Sequence, residues 1–390
     1  MPTWIDLLEW VIKAVINVFV LLTGFAYMTY AERKVSALLQ TRHGPNRAGP
    51  FGFFQPVADG IKILFKEELI PGGADKLIFL IAPIITVVPA LVILAVVPWG
   101  PTATVSCCQI SIPALKFTVG RQFFSRDVAL GIADLNVGML YILSVASIAV
   151  YGVVLGGWAS NNKYAMLGGI RSTAQMVSYE LALGLSTIGP LMLASSMSMS
   201  DIVVAQKSVW YIFYQPVAAL IFYVAALAEV NRAPFDMPEA EQELTAGYHT
   251  EYSGMKFTLF FMGEYIKMIG VSAIFVTLFL GGWQGPFVEQ IPWLGILYFW
   301  LKVAASLLFM IWTRSTLPRL RYDRLMALGW KVMLPLALAN VMVTAAALID
   351  LTLMGWVIGV LVVIGVVILL IRFAQARSRA AAPAARRMRT

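Results

Sequence analysis

Apolar residues run almost unbroken through long stretches of this chain, and polar residues collect between them. A helix needs about 20 apolar residues to cross a hydrocarbon core of roughly 30 Å. Runs of that kind occupy residues 11 to 31, 77 to 98, 129 to 155, 171 to 195, 209 to 228, 257 to 281, 292 to 313, 331 to 350 and 353 to 372. They predict nine transmembrane helices. The alternating segments of a transmembrane barrel are missing from the sequence, so the backbone must satisfy its hydrogen bonds within helices. One inner segment, residues 41 to 76, has a different pattern. There Phe54, Val57, Ile61, Leu64 and Phe65 recur at helical spacing while Asp59, Lys62 and Lys66 fall largely on other faces. This predicts a helix too short to span, lying in the headgroup layer. The GPNRAGPFG stretch before it predicts a rigid loop with Asn46 and Arg47 at its tip. The expected fold is therefore an all-α polytopic membrane protein: nine transmembrane helices plus a short amphipathic interfacial helix.

Composition agrees. With 59% hydrophobic and 13% charged residues and a mean hydropathy of +0.79, the chain lies outside the range of soluble globular domains. Asp6 and Glu9 precede the first run and Glu32, Arg33 and Lys34 follow it, the wrong charge order for a removable leader, so this run is expected to stay as a span. Lysines and arginines crowd one set of connections, from Arg33 to Lys76, at Lys163, Arg171, Arg232 and Lys256, from Arg314 to Lys331 and beyond Arg372. The opposite set holds Lys13, Lys116, Arg121, Arg126 and Lys207. The positive-inside rule then predicts an outer N-terminus and a cytoplasmic C-terminus. A net charge of +8 is mostly this bias; the basic tail points to anionic lipid and not to nucleic acid. Three units are expected: residues 1 to 350 as a core of eight spans, 351 to 372 as a ninth, and 373 to 390 as a basic tail without fixed structure. Cys107 and Cys108 are neighbours, an arrangement that rarely meets disulfide geometry. No Cys/His ligand spacing and no glycine-rich nucleotide fingerprint is present, which predicts that any redox chemistry happens elsewhere.

Candidate chemistry concentrates in residues 229 to 252, EVNRAPFDMPEAEQELTAGYHTEY, where six carboxylates accompany Arg232. Part of this has a structural explanation: Asp236 as the N-cap of a helix, Pro238 in its first turn and Glu239 as capping-box partner. Glu241 and Glu243 are not explained that way, and Glu239 and Glu243 at i,i+4 repel by about 0.2 to 0.5 kcal/mol. Crowded carboxylates titrate as a set and can share protons. A calcium or magnesium loop would need alternating oxygen ligands at a tight turn, which the stretch lacks. Within the apolar runs lie Asp134, Glu180, Glu229, Glu264, Lys267 and Lys302, each costing roughly 2.5 to 3.5 kcal/mol at mid-helix. Glu264 and Lys267 at i,i+3 can pair with each other, and Asp134 and Lys302 can reach the outer face. Alternatively, Glu180, Glu229, Glu251 and Glu264 form a proton relay. An acid and base adjacent at Glu32 and Arg33 add to the inner surface, and a groove with apolar walls and isolated charges would suit an isoprenoid substrate with a polar ring.

Six motifs occur in order: AERK, GPNRAGPFGFFQPVADGIKILFKE, GWASNNKYAMLGGIRSTAQMVSYEL, LAEVNRAPFDMPEAEQELTAGYHTEYSGMKF, FFMGEY and RSTLPRLRYDRLMALGWK. From about residue 11 to 350 the chain resembles the H-subunit family of proton-pumping NADH:quinone oxidoreductase, respiratory complex I. The resemblance implies a subunit without a redox centre, at the junction of the membrane arm with a peripheral arm that carries flavin and iron-sulfur clusters. It implies a tunnel through which ubiquinone or menaquinone reaches that junction, with matching positions Arg33, Asp59, Arg232, Phe235, Asp236 and Arg314. It also implies an acidic path that couples quinone reduction to proton translocation, with matching positions Tyr179, Glu180, Glu229, Glu239, Glu241, Glu243, Glu251 and Glu264. Partners implied are the quinone-site and terminal iron-sulfur subunits, the small membrane subunits next to the antiporter-like arm, and membrane lipid, all at the bacterial inner membrane. The family assigns no headgroup donors here, so His249 and Tyr252 are expected to be loop residues. A partial antiporter fold of five helices is implied, although no repeat is visible in the sequence. Rivals are the corresponding subunit of a hydrogenase or ferredoxin-linked relative, and a free-standing cation/proton antiporter.

Overall fold

The long apolar runs become long helices in the computed structural model, which describes residues 4–101, 103–107, 124–128, 131–236, 246–288, 290–350 and 354–355. Helix α1, Trp4–Leu39, has 36 residues, and at about 1.5 Å per residue it outruns a bilayer core. Glu32, Arg33 and Lys34 therefore ride on its last turns. A loop leads to the amphipathic α2, Gln55–Leu64, and then to α3, Lys76–Ile93, whose first N–H groups are capped by Asp75. Next come α4, Gly138–Ala159, and α5, Lys163–Ala194, the second capped by Asn162. Short helices α6, Met199–Ala205, and α7, Tyr211–Tyr214, precede α8, Pro216–Glu229. The remaining helices are α9, Gly254–Phe279, α10, Trp293–Thr316, α11, Tyr322–Leu328, and α12, Leu334–Ile349. A π-helical turn, Gly329–Met333, joins the last two.

Among the described residues, seven helical segments are long and apolar enough to cross a membrane, the last being Tyr322–Ile349. The expected span at 209 to 228 is broken. Pro216 lacks an N–H and starts α8 afresh, leaving 14 helical residues or about 21 Å. The break is bonded sideways: Gln215 donates to Thr344 Oγ1 at 2.7 Å and accepts from Asn340 at 2.9 Å, both on α12. Helix α4 begins later than the hydropathy implied, so Asp134 lies in the connection before it and accepts from Ser198 at 3.1 Å. Helix α5 begins earlier, and Arg171, expected in a loop, is helical. The expected ninth helix and basic tail lie outside the described residues, apart from residues 354–355.

The connection between α3 and α4 adds a two-stranded element to the expected helices. There β1, Ala103–Cys107, pairs antiparallel with β2, Phe124–Val128, with Cys107 opposite Phe124. Each segment contains a Val and a Ser, with Thr in β1 and Phe in β2. Such a pair satisfies backbone hydrogen bonds between strands and not within a helix.

Helix α9 forms the centre of the bundle, with 78% of its spanning window buried against 17% for α1. Small residues let the neighbours close in, as membrane interfaces require. A Cβ on Gly152 of α4 would lie 2.8 Å from the Ala82 carbonyl of α3. This close approach locks α3 and α4 into one layer against α9.

Candidate functional site

The chain leaves α8 at Glu229 and turns at Asn231, which adopts a left-handed backbone with φ of 55°. Helix α5 receives the loop. Gln175 Nε2 donates to the carbonyls of Ala228 at 2.7 Å and Phe235 at 2.8 Å, and Asn231 Nδ2 donates to Ser172 Oγ at 3.3 Å. On the other side, Leu320 N donates to the Pro234 carbonyl at 3.2 Å, and the Arg319 guanidinium donates to the Asp236 carbonyl. Held from both sides, the loop delivers Arg232 to the interior.

Arg232 is 4% exposed. Its guanidinium lies 3.8 Å from Glu32 of α1 and 3.9 Å from Glu264 of α9, and it rests over the Tyr265 ring at 4.2 Å, a cation–π arrangement. Tyr265 also donates its hydroxyl to Glu32 at 2.5 Å. Arg314 of α10 pairs with the same Glu32 carboxylate. Glu264 accepts from the Tyr248 hydroxyl at 3.1 Å and has His249 Nε2 at 3.9 Å. One turn further along α9, Lys267 is buried within electrostatic reach of Glu229, Glu264 and Glu180, and Glu229 and Glu180 feel each other. Glu180 accepts from Ser147 of α4. The groups thus follow one another as Arg314, Glu32, Arg232, Glu264, Lys267, Glu229 and Glu180, nearly alternating in sign. Burial of a charge without a partner costs several kcal/mol, in round terms, and alternation offsets that cost. The long N···O distances exceed hydrogen-bond range, yet in a poorly screened interior such pairs still interact strongly.

A second charged place lies near the C-terminal end of α1. Arg33 pairs with Asp59 of α2 at 2.7 Å, and Lys62 and Gln55 reach the same carboxylate at 3.5 and 3.2 Å. Partial burial pushes the Asp59 carboxyl up. Hydrogen bonds from Arg33 and Gln55 and the charges of Arg33 and Lys62 outweigh it, so the group titrates below the usual carboxylate range. Beside this pair, Lys34 donates to the carbonyls of Pro45 at 3.0 Å and Phe51 at 3.1 Å, and Tyr30 to that of Phe51 at 2.8 Å. The GPNRAGPFG loop is thereby fastened to α1. Gly52 is required in it, because φ is 84° and a Cβ would collide with the Pro45 carbonyl.

Of the expected tunnel positions, Arg33 and Asp59 form one pair, while Arg232 and Arg314 share Glu32. Phe235 packs its ring on Tyr179 at 5.7 Å. Of the expected coupling positions, Glu180, Glu229 and Glu264 lie within electrostatic reach of Lys267. Tyr179 instead spends its hydroxyl on the Leu325 carbonyl at 3.0 Å, just before the π-helical turn. Glu251 stands apart: it accepts from Asn162 at 2.7 Å and borders a groove of about 700 Å³ with Trp158 and Lys163. Glu239, Glu241 and Glu243 lie outside the described residues, as does the helix Asp236 was expected to cap. Lys302 donates to the carbonyls of Leu280, Gly282 and Gln284 at 2.7, 3.0 and 2.7 Å, closing the C-terminus of α9 where a cation is favoured.

Five members of the cluster carry no site assignment from the sequence: Glu32, Lys267, Tyr265, Tyr248 and His249. Glu32 stands out there for its adjacency to Arg33 but not for its two arginine partners. Tyr265 and Tyr248 have no sequence signal beyond nearness to Glu264. His249, expected as a loop residue, is buried beside Glu264. Tyr252 is likewise a core residue, stacked on Phe79 at 4.0 Å.

Fold and site together define a class: polytopic helical membrane proteins built around a buried line of acids and bases. Comparison with known proteins narrows that class. A family profile described as NADH dehydrogenase matches residues 12–345. The second H-type subunit of NADH-quinone oxidoreductase from Geobacter sulfurreducens is 51% identical over 346 residues, covering 89% of this chain and 95% of that protein. Its counterpart from Syntrophobacter fumaroxidans is 50% identical over 334 residues, covering 86% and 94%. The H-type subunit from Thermomicrobium roseum is 49% identical over 335 residues, covering 83% and 92%. The chain belongs to this family, the H-type subunits of NADH-quinone oxidoreductase.

Proposed function

We propose that this chain is the membrane-arm subunit of a proton-translocating NADH:quinone oxidoreductase that lines the quinone tunnel and couples quinone reduction to proton movement. The observation that carries this reading is Arg232, shared almost evenly between Glu32 at 3.8 Å and Glu264 at 3.9 Å. A guanidinium balanced between two carboxylates responds to a nearby change of charge by favouring one of them. Quinone reduction supplies such a change, since two electrons make the headgroup anionic until two protons follow, and each group that gives one of those protons is left one unit more negative. A shift of Arg232 toward Glu32 weakens the field on Glu264, and the loss passes to Lys267, Glu229 and Glu180 through the electrostatic contacts among them. Proton uptake and release then follow from the changed balance.

The Phe235 ring, backed by Tyr179, suits the flat face of a quinone headgroup, and Arg33, Asp59 and Arg314 ring the inner end of α1, where a polar ring would leave the bilayer. Asp236 stands on the same loop, and Glu239, Glu241, Glu243 and Glu251 follow as proposed members of the acidic path. In this reading the N-terminus lies outside and α2 lies in the headgroup layer. Flavin and iron-sulfur clusters belong to partner subunits of the peripheral arm, docked at the bacterial inner membrane near the GPNRAGPFG loop.

Purification from native membranes through a tag on this chain tests the assignment. Recovery with flavin-bearing and iron-sulfur subunits and NADH:quinone activity supports it. A stable protein that exchanges cations for protons by itself contradicts it.

A further inference from the structure

One face of α5 addresses the whole of the loop that carries Arg232. Ser172, Gln175 and Tyr179 follow at helical spacing, and meet Asn231, the loop backbone and the Phe235 ring respectively. Gln175 is the centre of this set and is fully buried. Its single amide nitrogen bridges the Ala228 carbonyl at 2.7 Å and the Phe235 carbonyl at 2.8 Å, with Asn231 Oδ1 at 3.3 Å. Two backbone carbonyls accept and cannot donate, so the network demands an NH₂ group at this point. By tying the residue before the loop to the residue near its end, Gln175 closes the loop into a ring. The left-handed conformation of Asn231 costs energy that such surrounding bonds must offset.

We propose that Gln175 is the positioning residue for the loop that carries Arg232 and Phe235, and thereby sets the affinity of the assembled enzyme for quinone. The second half rests on the reading that this loop borders the quinone. Gln175 acts through the loop backbone and needs no contact with substrate.

The test uses the assembled complex carrying Gln175→Glu or Gln175→Met. The first keeps the shape and sets oxygens against the carbonyls, and the second keeps roughly the volume and removes the donors. Deuterium uptake across residues 230 to 236 and quinone reduction kinetics are both measured, with NADH oxidation by an artificial acceptor as the check on assembly. Uptake in that segment is expected to quicken, with uptake in α4 unchanged. The quinone KM is expected to rise about tenfold with kcat changed far less, the scale on which a misplaced positioning loop acts. Unchanged uptake in both variants overturns the proposal. Quicker uptake with an unmoved KM keeps the clamp and overturns instead the placement of quinone beside the loop. Ser172→Ala removes the adjoining hydrogen bond to Asn231 and gives a smaller shift of the same kind, which keeps the test readable should the Gln175 variants fail to assemble.

Discussion

Arg232 stands between two carboxylates, over one tyrosine ring, with almost no exposure to solvent. Replacing it with leucine leaves Glu32 and Glu264 buried near each other without the cation between them. Breaking a buried pair in this way costs on the order of 3 to 5 kcal/mol. Arg232→Leu is expected to lower the thermal midpoint of the purified complex, and adding Glu264→Gln is expected to restore part of the loss. Calorimetry on the single and double variants reads the coupling, and strict additivity would count against the pairing. The Arg33–Asp59 pair gives a pH dependence. Asp59 titrates lower in the folded protein than in an unfolded chain. The tie between α1 and α2 is therefore at full strength above the ordinary carboxylate range and is lost as pH falls through the lowered value. Proteolysis within residues 55 to 64 is expected to accelerate over that acid window, and in Asp59→Asn to be fast at every pH. The sequence marks both Arg33 and Asp59, yet offers no sign that they meet. Their partners are fixed by tertiary packing, as with Glu32 and Tyr265, which are 233 residues apart.

At the scale of elements, hydropathy locates the spans because hydrocarbon imposes one simple rule on every crossing helix. It fails where other forces act. Pro216 and the side-chain bonds of Gln215 cut one span short, and the connection between α3 and α4 carries an antiparallel strand pair, whose strands of five residues give too weak a periodic signal to read. Close approach of α3 and α4 depends on Gly152. Gly152→Leu is expected to reduce the yield of assembled complex severely, whereas Gly60→Ala, where a Cβ meets nothing within 4 Å, is expected to be tolerated; quantitative blotting of membranes checks both. Lys302 is legible in the sequence as a buried cation but not as the cap of α9. Lys302→Met leaves three carbonyls without their donor, and a buried acceptor left unmade costs about 1 to 3 kcal/mol. The expected result is a lower thermal midpoint with the quinone KM unchanged, which separates this structural role at the C-terminus of α9 from the charged site.

For the molecule as a whole, the acidic stretch after α8 points to the right region. Its chemistry is completed by residues from α1, α5, α9 and α10, which no local pattern connects. The resulting line of charge runs from Arg314 and Glu32 near the C-terminal end of α1 to Glu180 inside α5. Its central claim is that charge at Arg232 is felt at Glu180. The direct measurement is NADH:quinone reduction and proton translocation by complexes carrying Arg232→Ala or Glu180→Gln, reconstituted in vesicles. Both activities are expected to fall in both variants, by tenfold or more as an order of magnitude for removal of a preorganised charge, while NADH oxidation by an artificial acceptor persists. Quinone reduction and pumping that both survive the two changes unaltered would contradict the account.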